Sequence, residues 1–228
     1  MSKNPGSPSK PLTDYPRPSV AVDVAVLTVV DETVKVLVVD HPRGRALPGT
    51  FLHPGERLAD AARRALHDKA GLDDVEFHQM AMLDDPERDD RGWVLSMTHS
   101  AAVRVERFPA GAQLLPVTDA RQLAFDHEEI VALAVADLRR RYATAVDPSG
   151  LIGDEFTILE LRRLYEVIYG RRFPKDTFRR HLSHGLEATG EFSREGAGRP
   201  AELYRKTAEP LPPSAASFLA QLRWDFLR

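Results

Sequence analysis

Cysteine is missing from all 228 residues. That excludes disulfides, thiolate metal sites and cysteine nucleophiles, and it agrees with a cytoplasmic location. A long apolar run is missing as well: no stretch approaches the ~20 uninterrupted residues that a bilayer helix needs, so no membrane partner is expected. The opening MSKNPGSPSKPLTDYPRP has no apolar core of the kind a secretory signal carries. Its prolines, with Ser, Gly and Lys between them, read as a disordered tail over residues 1–18. A dominant charge is lacking too, since 31 Lys and Arg stand against 34 Asp and Glu, for a net of −3. The balance is uneven along the chain. Residues 1–150 carry a net of −5 and residues 151–207 a net of +2, which suits parts with different partners, the later one polyanionic.

What is present is a soluble-protein composition, 43% hydrophobic, long enough for one large or two modest domains. Residues 20–30 are β-branched, Asp31-Glu32-Thr33 turns, and 34–39 read as the hairpin partner. Pro42, Gly44, Pro48, Gly49, Pro54 and Gly55 mark a loop. A helix is predicted over 57–70, with Leu58, Ala61, Ala62, Ala65, Leu66 and the charged exception Lys69 on one face, and Gly71 closing it. Strands are expected at 75–83, 93–105 and 112–116, with a charged loop at 84–92. A second long helix, 126–142, aligns Ile130, Leu133, Ala134, Asp137 and Leu138. Asp147-Pro148-Ser149-Gly150 then breaks the pattern, dividing the chain into residues 19–146 and 147–228.

The loop and first helix carry a motif. Thr50, Glu56, Arg64, Leu66, Gly71 and Leu72, taken with the residues between them, resemble the Nudix box G-x5-E-x7-R-E-U-x-E-E-x-G-U, where U is apolar. Thr50 departs from the opening glycine; the others keep the pattern without gaps. The resemblance implies an α/β fold: a Nudix α/β/α sandwich around a mixed sheet. It also implies hydrolysis of a diphosphate bond with Mg²⁺ or Mn²⁺, held by carboxylates clustered on the box helix. Here the three box acids are replaced by Ala65, Asp68 and Lys69. One acid is lost, one is shortened and one has become a cation that repels a metal ion. The expectation is therefore no catalytic residue, no metal site and no required cofactor. The competing reading keeps one ion on Asp68, Glu56 and an acid from Glu128 or Glu129, and leaves a hydrolase of ADP-ribose or another nucleoside diphosphate derivative.

A cleft without its catalyst still has candidate ligand groups. Arg43, Arg45, Arg57 and Arg64 suit a diphosphate, because planar guanidinium donors bind two oxygens together. Phe51 suits a base or ribose. Glu56 belongs to the same box, and Arg64, the box arginine, orients its acids. The bland reading of each arginine is a solvated side chain or a helix-surface ion pair. In Phe125-Asp126-His127, Asp126 is a candidate N-cap and His127 a hydrogen-bonding group of the pocket rather than a catalytic base.

Beyond the boundary, Thr157-Ile158-Leu159-Glu160 has capping-box spacing. The helix it opens turns Leu161, Leu164, Tyr165 and Ile168 inward and ends at Gly170. A helix from Pro174 to about residue 184 follows, with Phe178 and Leu182 inward. Strands at 186–192 and 201–206 flank a Gly/Arg turn at 194–200, and an amphipathic segment covers 215–227, for dimerisation or for packing back on this domain. Helix, helix and two strands is the order of a winged helix-turn-helix. Lys175, Thr177, Arg179 and Arg180 would then face DNA from the recognition helix, flanked by His181, with Arg199 at the wing tip entering a minor groove. The alternative is a basic helix in a protein-binding scaffold module.

The whole chain after the tail resembles the Nudix-related transcriptional regulators of NAD metabolism, the NrtR type. The resemblance rests on the box, on Phe125-Asp126-His127, on Phe156-Thr157-Ile158-Leu159-Glu160-Leu161, on Thr177-Phe178-Arg179-Arg180 and on the run Gly198 to Arg205. It implies a homodimeric repressor of NAD biosynthesis or salvage genes on palindromic double-stranded DNA, with ADP-ribose or a related nucleotide as effector.

Overall fold

A computed structural model describes residues 10–193 and 200–220. Of the expected tail, residues 1–9 lie outside that range, and Leu12–Asp14 form one 3-10 turn. The first domain is organised by β1 (Ser19–Val30), which is buried on both faces, Val22, Val24 and Val26 on one and Ala25 and Leu27 on the other. Asp31 and Glu32, both at φ 52°, turn it into antiparallel β2 (Thr33–His41) with Val30 opposite Thr33, the positive-φ pair that a tight hairpin requires.

The stretch predicted as loop alone, 42–55, contributes two short strands. β3 (Gly44–Ala46) lies along β2 and β4 (Gly49–Phe51) along β1. Ladder positions left open on the neighbours override the weak local propensity: Val24 N–H donates to the Pro48 carbonyl at 2.9 Å, and Leu52 N–H to that of Val20 at 2.8 Å.

α1 (Leu58–Ala70) ends at Gly71, which adopts φ 61°, and packs Ala61, Ala62, Leu66 and Ala70 on Val22, Val24 and Val26 of β1. β5 (Phe77–Leu83) pairs with β6 (Val94–Ala102), and β6 runs parallel to β1. The strand expected to reach residue 105 stops at Ala102, opposite Leu27, and Val105–Arg107 coil into a 3-10 turn. β7 (Gln113–Pro116) adds to β2. The result is one mixed seven-stranded sheet, with central order β3-β2-β1-β6-β5. α2 (His127–Tyr142) covers the face opposite α1, setting Ile130, Ala134 and Leu138 against Ala25, Leu27, Val36 and Val38.

In the second domain β8 (Phe156–Thr157) is too short for any periodicity to announce it, and it leads into α3 (Ile158–Tyr169). Thr157 and Glu160 form both halves of the capping box. α4 (Lys175–Leu182) buries Phe178 and Leu182 completely. It stops short of residue 184 because Ser183–Gly185 tighten into a 3-10 turn, where a Cβ on Gly185 would come within 2.6 Å of Val146. β9 (Leu186–Phe192) and β10 (Glu202–Lys206) complete a small antiparallel sheet in the order β8-β10-β9. α5 (Pro213–Ala220) packs back on this domain through Ala215 and Leu219, with Phe218 5.3 Å from the Phe173 ring. Most of the expected wing, residues 194–199, and the end of the amphipathic segment, 221–228, lie outside the described residues. Tyr142 of α2 meets Tyr165 of α3 edge to face at 5.4 Å, so a single apolar core runs through both domains.

Candidate functional site

The cleft of the first domain opens where β1, β4, the start of α2 and the 84–92 loop converge. A cavity of about 200 Å³ is lined there by Asp23, His41, Phe51, Lys69, Arg91 and His127, among others. Asp23 interrupts the valines of β1 and is buried. Its Oδ2 accepts the Ser96 hydroxyl at 2.6 Å, and its Oδ1 lies 3.4 Å from His127 Nε2. His127 Nδ1 accepts the Leu47 N–H at 2.8 Å, so the ring proton belongs on Nε2, facing the carboxylate. Burial pushes the Asp23 carboxyl up. The pull of His127, Ser96 and Arg88 outweighs it and leaves the carboxyl below its ordinary value.

The charged loop supplies the walls. Arg88 is bidentate on Asp126, at 2.8 and 2.7 Å, and stands 3.7 Å from Asp23. Asp126 therefore sits at the N-cap position of α2 without capping it; its carboxylate is taken by Arg88. Arg91 pairs with Asp89 at 2.6 Å and holds that carboxyl down to about 2. The Arg91 guanidinium also lies 5.5 Å from the Phe51 ring and 5.4 Å from that of Phe125, and Arg43 lies 5.1 Å from Phe125. His41 is lowered by burial, then by the charges of Lys69, Arg91 and Arg43. The site thus sets guanidinium groups and an ammonium beside aromatic rings, the groups with which an aromatic anion interacts.

The box motif serves the loop itself. Arg64 is bidentate on Glu56, at 2.9 and 2.8 Å, and donates further to Thr50 Oγ1 at 3.0 Å and to the Phe51 carbonyl at 2.9 Å. Glu56 also accepts the His53 N–H at 2.8 Å. Arg64, with the His53 amide, brings the Glu56 carboxyl down to about 2.

A divalent cation does not fit these residues. Ala65 is buried in the packed face of α1, and Asp68 lies in a separate hollow beside Arg63, Arg64 and His67. The Lys69 ammonium is hydrogen-bonded to the Gly49 carbonyl within the cleft. Among the described residues no three His, Cys, Asp or Glu converge to hold a metal.

Of the residues singled out for a ligand, Phe51 and His127 line the cavity, and Arg43 stands at its mouth over Phe125. Glu56 and Arg64 are engaged with each other. Arg45 is exposed on β3, and Arg57 takes the N-cap position of α1. Sequence reasoning passed over Asp23, Arg88 and Arg91. The first had a signal, an acid inside an apolar strand; the arginines looked like ordinary members of a solvated charged loop.

In the winged helix, Lys175, Arg179 and Arg180 are exposed, and Thr177 and His181 are half-buried. Arg179 donates to the Tyr204 hydroxyl at 3.1 Å, which joins α4 to β10. His181 stacks on Phe218, with centroids 4.5 Å apart and planes at 10°, and so is turned toward α5. Arg199 lies outside the described residues.

Fold and cleft together define a NUDIX sandwich, altered at its box, that carries a winged helix. Residues 20–143 match the NUDIX domain family and residues 148–206 the NrtR DNA-binding winged helix domain. The chain is 30% identical over 209 residues to the ADPR responsive transcriptional repressor NtrR of Acinetobacter baylyi, covering 85% of this chain and 84% of that protein. It is similar to the crystal structure of Shewanella oneidensis NrtR complexed with a 27mer DNA, with a TM-score of 0.69 and 28% identity, over 87% of this chain and 96% of that one. It is also 29% identical over 127 residues to the ADP-ribose pyrophosphatase of Methanocaldococcus jannaschii, covering 51% of this chain and 73% of that enzyme. The chain belongs to the NrtR family of NUDIX-linked transcriptional regulators.

Proposed function

We propose that this chain is a homodimeric transcriptional repressor of NAD biosynthesis or salvage genes. In this reading it binds palindromic double-stranded DNA through Lys175, Thr177, Arg179, Arg180 and the wing residue Arg199. ADP-ribose or a related nucleotide is sensed in the cleft around Arg43, Phe51 and His127. The NUDIX domain acts as a sensor and not as a hydrolase, because the box acids have become Ala65, Asp68 and Lys69.

The observation that carries this reading is the path of α2. It opens in the cleft at His127 and closes at Tyr142, whose hydroxyl donates to Asp147 at 2.5 Å at the start of the winged helix. Arg139 Nε donates to the Ile168 carbonyl at 2.8 Å, the Tyr169 hydroxyl to that of Arg139 at 2.6 Å, and the Tyr165 hydroxyl to that of Ala145 at 3.1 Å. One helix therefore runs from the cleft to the packed interior of the winged helix, where it meets α3. An effector that binds one arrangement of the recognition helices better than another shifts their affinity for DNA by that difference.

The test is DNA binding by the full chain, using the promoter region beside its own gene, together with an ADP-ribose hydrolysis assay in Mg²⁺ and Mn²⁺. Specific binding is expected to weaken in Arg180→Ala, with the salt slope reduced by about one, and hydrolysis is expected to be absent. Brisk hydrolysis with no affinity for any duplex would replace this reading with that of an ADP-ribose pyrophosphatase.

A further inference from the structure

Among the described residues, the cations of the cleft are paired with one exception. Arg88 is committed to Asp126 and Asp23, Arg91 to Asp89, and Arg43 at the mouth to Asp90. Lys69 forms no ion pair among the described residues; its Nζ donates to the carbonyl of Gly49, a neutral group. That carbonyl belongs to β4 at the residue opposite Asp23, and Lys69 and Gly49 both line the cavity. An ammonium has three donors, so two remain for a ligand. The bond to Gly49 holds the flexible stem in place before anything binds, which lowers the ordering cost of using it. Lys69 also stands at the box position where the motif expects a carboxylate that holds a metal.

We propose that Lys69 is the built-in cation of this cleft: it contacts the phosphates of a nucleoside diphosphate directly, in place of a carboxylate-held divalent ion, so that effector binding is independent of Mg²⁺. The inference rests on the nucleotide reading given above. A compact ammonium acts on phosphate as a point charge, and Phe51 and Phe125, which line the same cavity, supply aromatic surface for the base.

Titration calorimetry on the full chain tests this, with ADP-ribose and with inorganic pyrophosphate, in EDTA and in Mg²⁺. The wild type is expected to bind ADP-ribose equally in both buffers. Lys69→Gln, whose amide can still donate to Gly49, is expected to melt as the wild type does and to lose about tenfold or more in affinity for both ligands, the scale of one hydrogen bond between charged groups. Lys69→Arg is expected to recover most of that loss, and Lys69→Glu to bind only when Mg²⁺ is present. ADP-ribose binding that requires Mg²⁺ in the wild type, or that is unchanged in Lys69→Gln, overturns the role of Lys69 and leaves the nucleotide reading standing. Lys69-dependent binding of pyrophosphate without binding of ADP-ribose upholds Lys69 and overturns the nucleotide reading. Binding of neither ligand overturns both.

Discussion

Arg88 grips Asp126 through two hydrogen bonds while its own side chain is 4% exposed. Removing it would strand the Asp126 carboxylate and take away a cation that helps keep buried Asp23 ionised. Arg88→Ala is expected to cost about 3–5 kcal/mol, the scale of breaking one side of a buried pair. Arg88→Lys is expected to recover little, because an ammonium does not reproduce the planar two-point grip. Urea unfolding of the three proteins measures both differences.

Gly49 approaches Asp23 so closely that a Cβ there would lie 1.9 Å from Oδ1 and 2.9 Å from the Val22 carbonyl. Gly49→Ala is expected to destabilise the first domain by about 1–3 kcal/mol. It is also expected to weaken ADP-ribose binding more than Thr50→Ala does, because it displaces β4 at the floor of the cleft. Calorimetric titration beside a thermal melt distinguishes the two variants.

The Glu56 carboxyl is lowered to about 2 by Arg64. A depressed carboxyl contributes stability that is fully present above its unfolded value, about 4.5, and is lost as pH falls through that value toward 2. Glu56→Gln is therefore expected to flatten the acid limb of the stability curve between those limits and to leave its shape near neutrality unchanged. Denaturation midpoints collected from pH 2 to pH 7 supply the measurement.

Tyr142 is wholly buried, and its hydroxyl donates to Asp147, which also accepts the N–H groups of Leu151 and Ile152 at 2.8 and 3.2 Å. Burial raises the Asp147 carboxyl. Tyr142→Phe keeps the ring packing and removes one bond at the junction, for an expected loss of about 1–3 kcal/mol. If α2 carries the signal, this variant keeps its affinity for DNA and for ADP-ribose taken separately and loses part of the coupling between them. Binding of each ligand in the presence and absence of the other measures that coupling.

Much of this architecture was legible in the residues. The β-branched run of β1, the Leu161, Leu164, Tyr165 and Ile168 face of α3, the Thr157 capping box and the glycines at 71 and 170 each express a local rule in local sequence. β3, β4 and β8 were not legible, because two or three residues carry no periodicity and these strands exist only through partners elsewhere in the chain. The cleft divides the same way. Phe51 and His127 stand out beside the box and at a helix start, whereas Arg88 and Arg91 reach the cavity only once β5 and β6 fold the 84–92 loop over it. Lys69 looked like damage to a motif, and the structure seats it on Gly49. Arg64 and Glu56 were candidates for a ligand, with an orienting role for the box arginine as the alternative, and the structure has each holding the other.

The proposed function requires one molecule to couple a nucleotide cleft to a DNA-binding surface. The most direct measurement is the affinity of the full chain for its own promoter DNA, titrated with and without saturating ADP-ribose at fixed salt. Specific binding is expected to weaken by about 5-fold or more when ADP-ribose is present, the range of ordinary allosteric coupling. Affinity that does not change with ADP-ribose, measured on a chain that demonstrably binds both ligands, would contradict the proposed function.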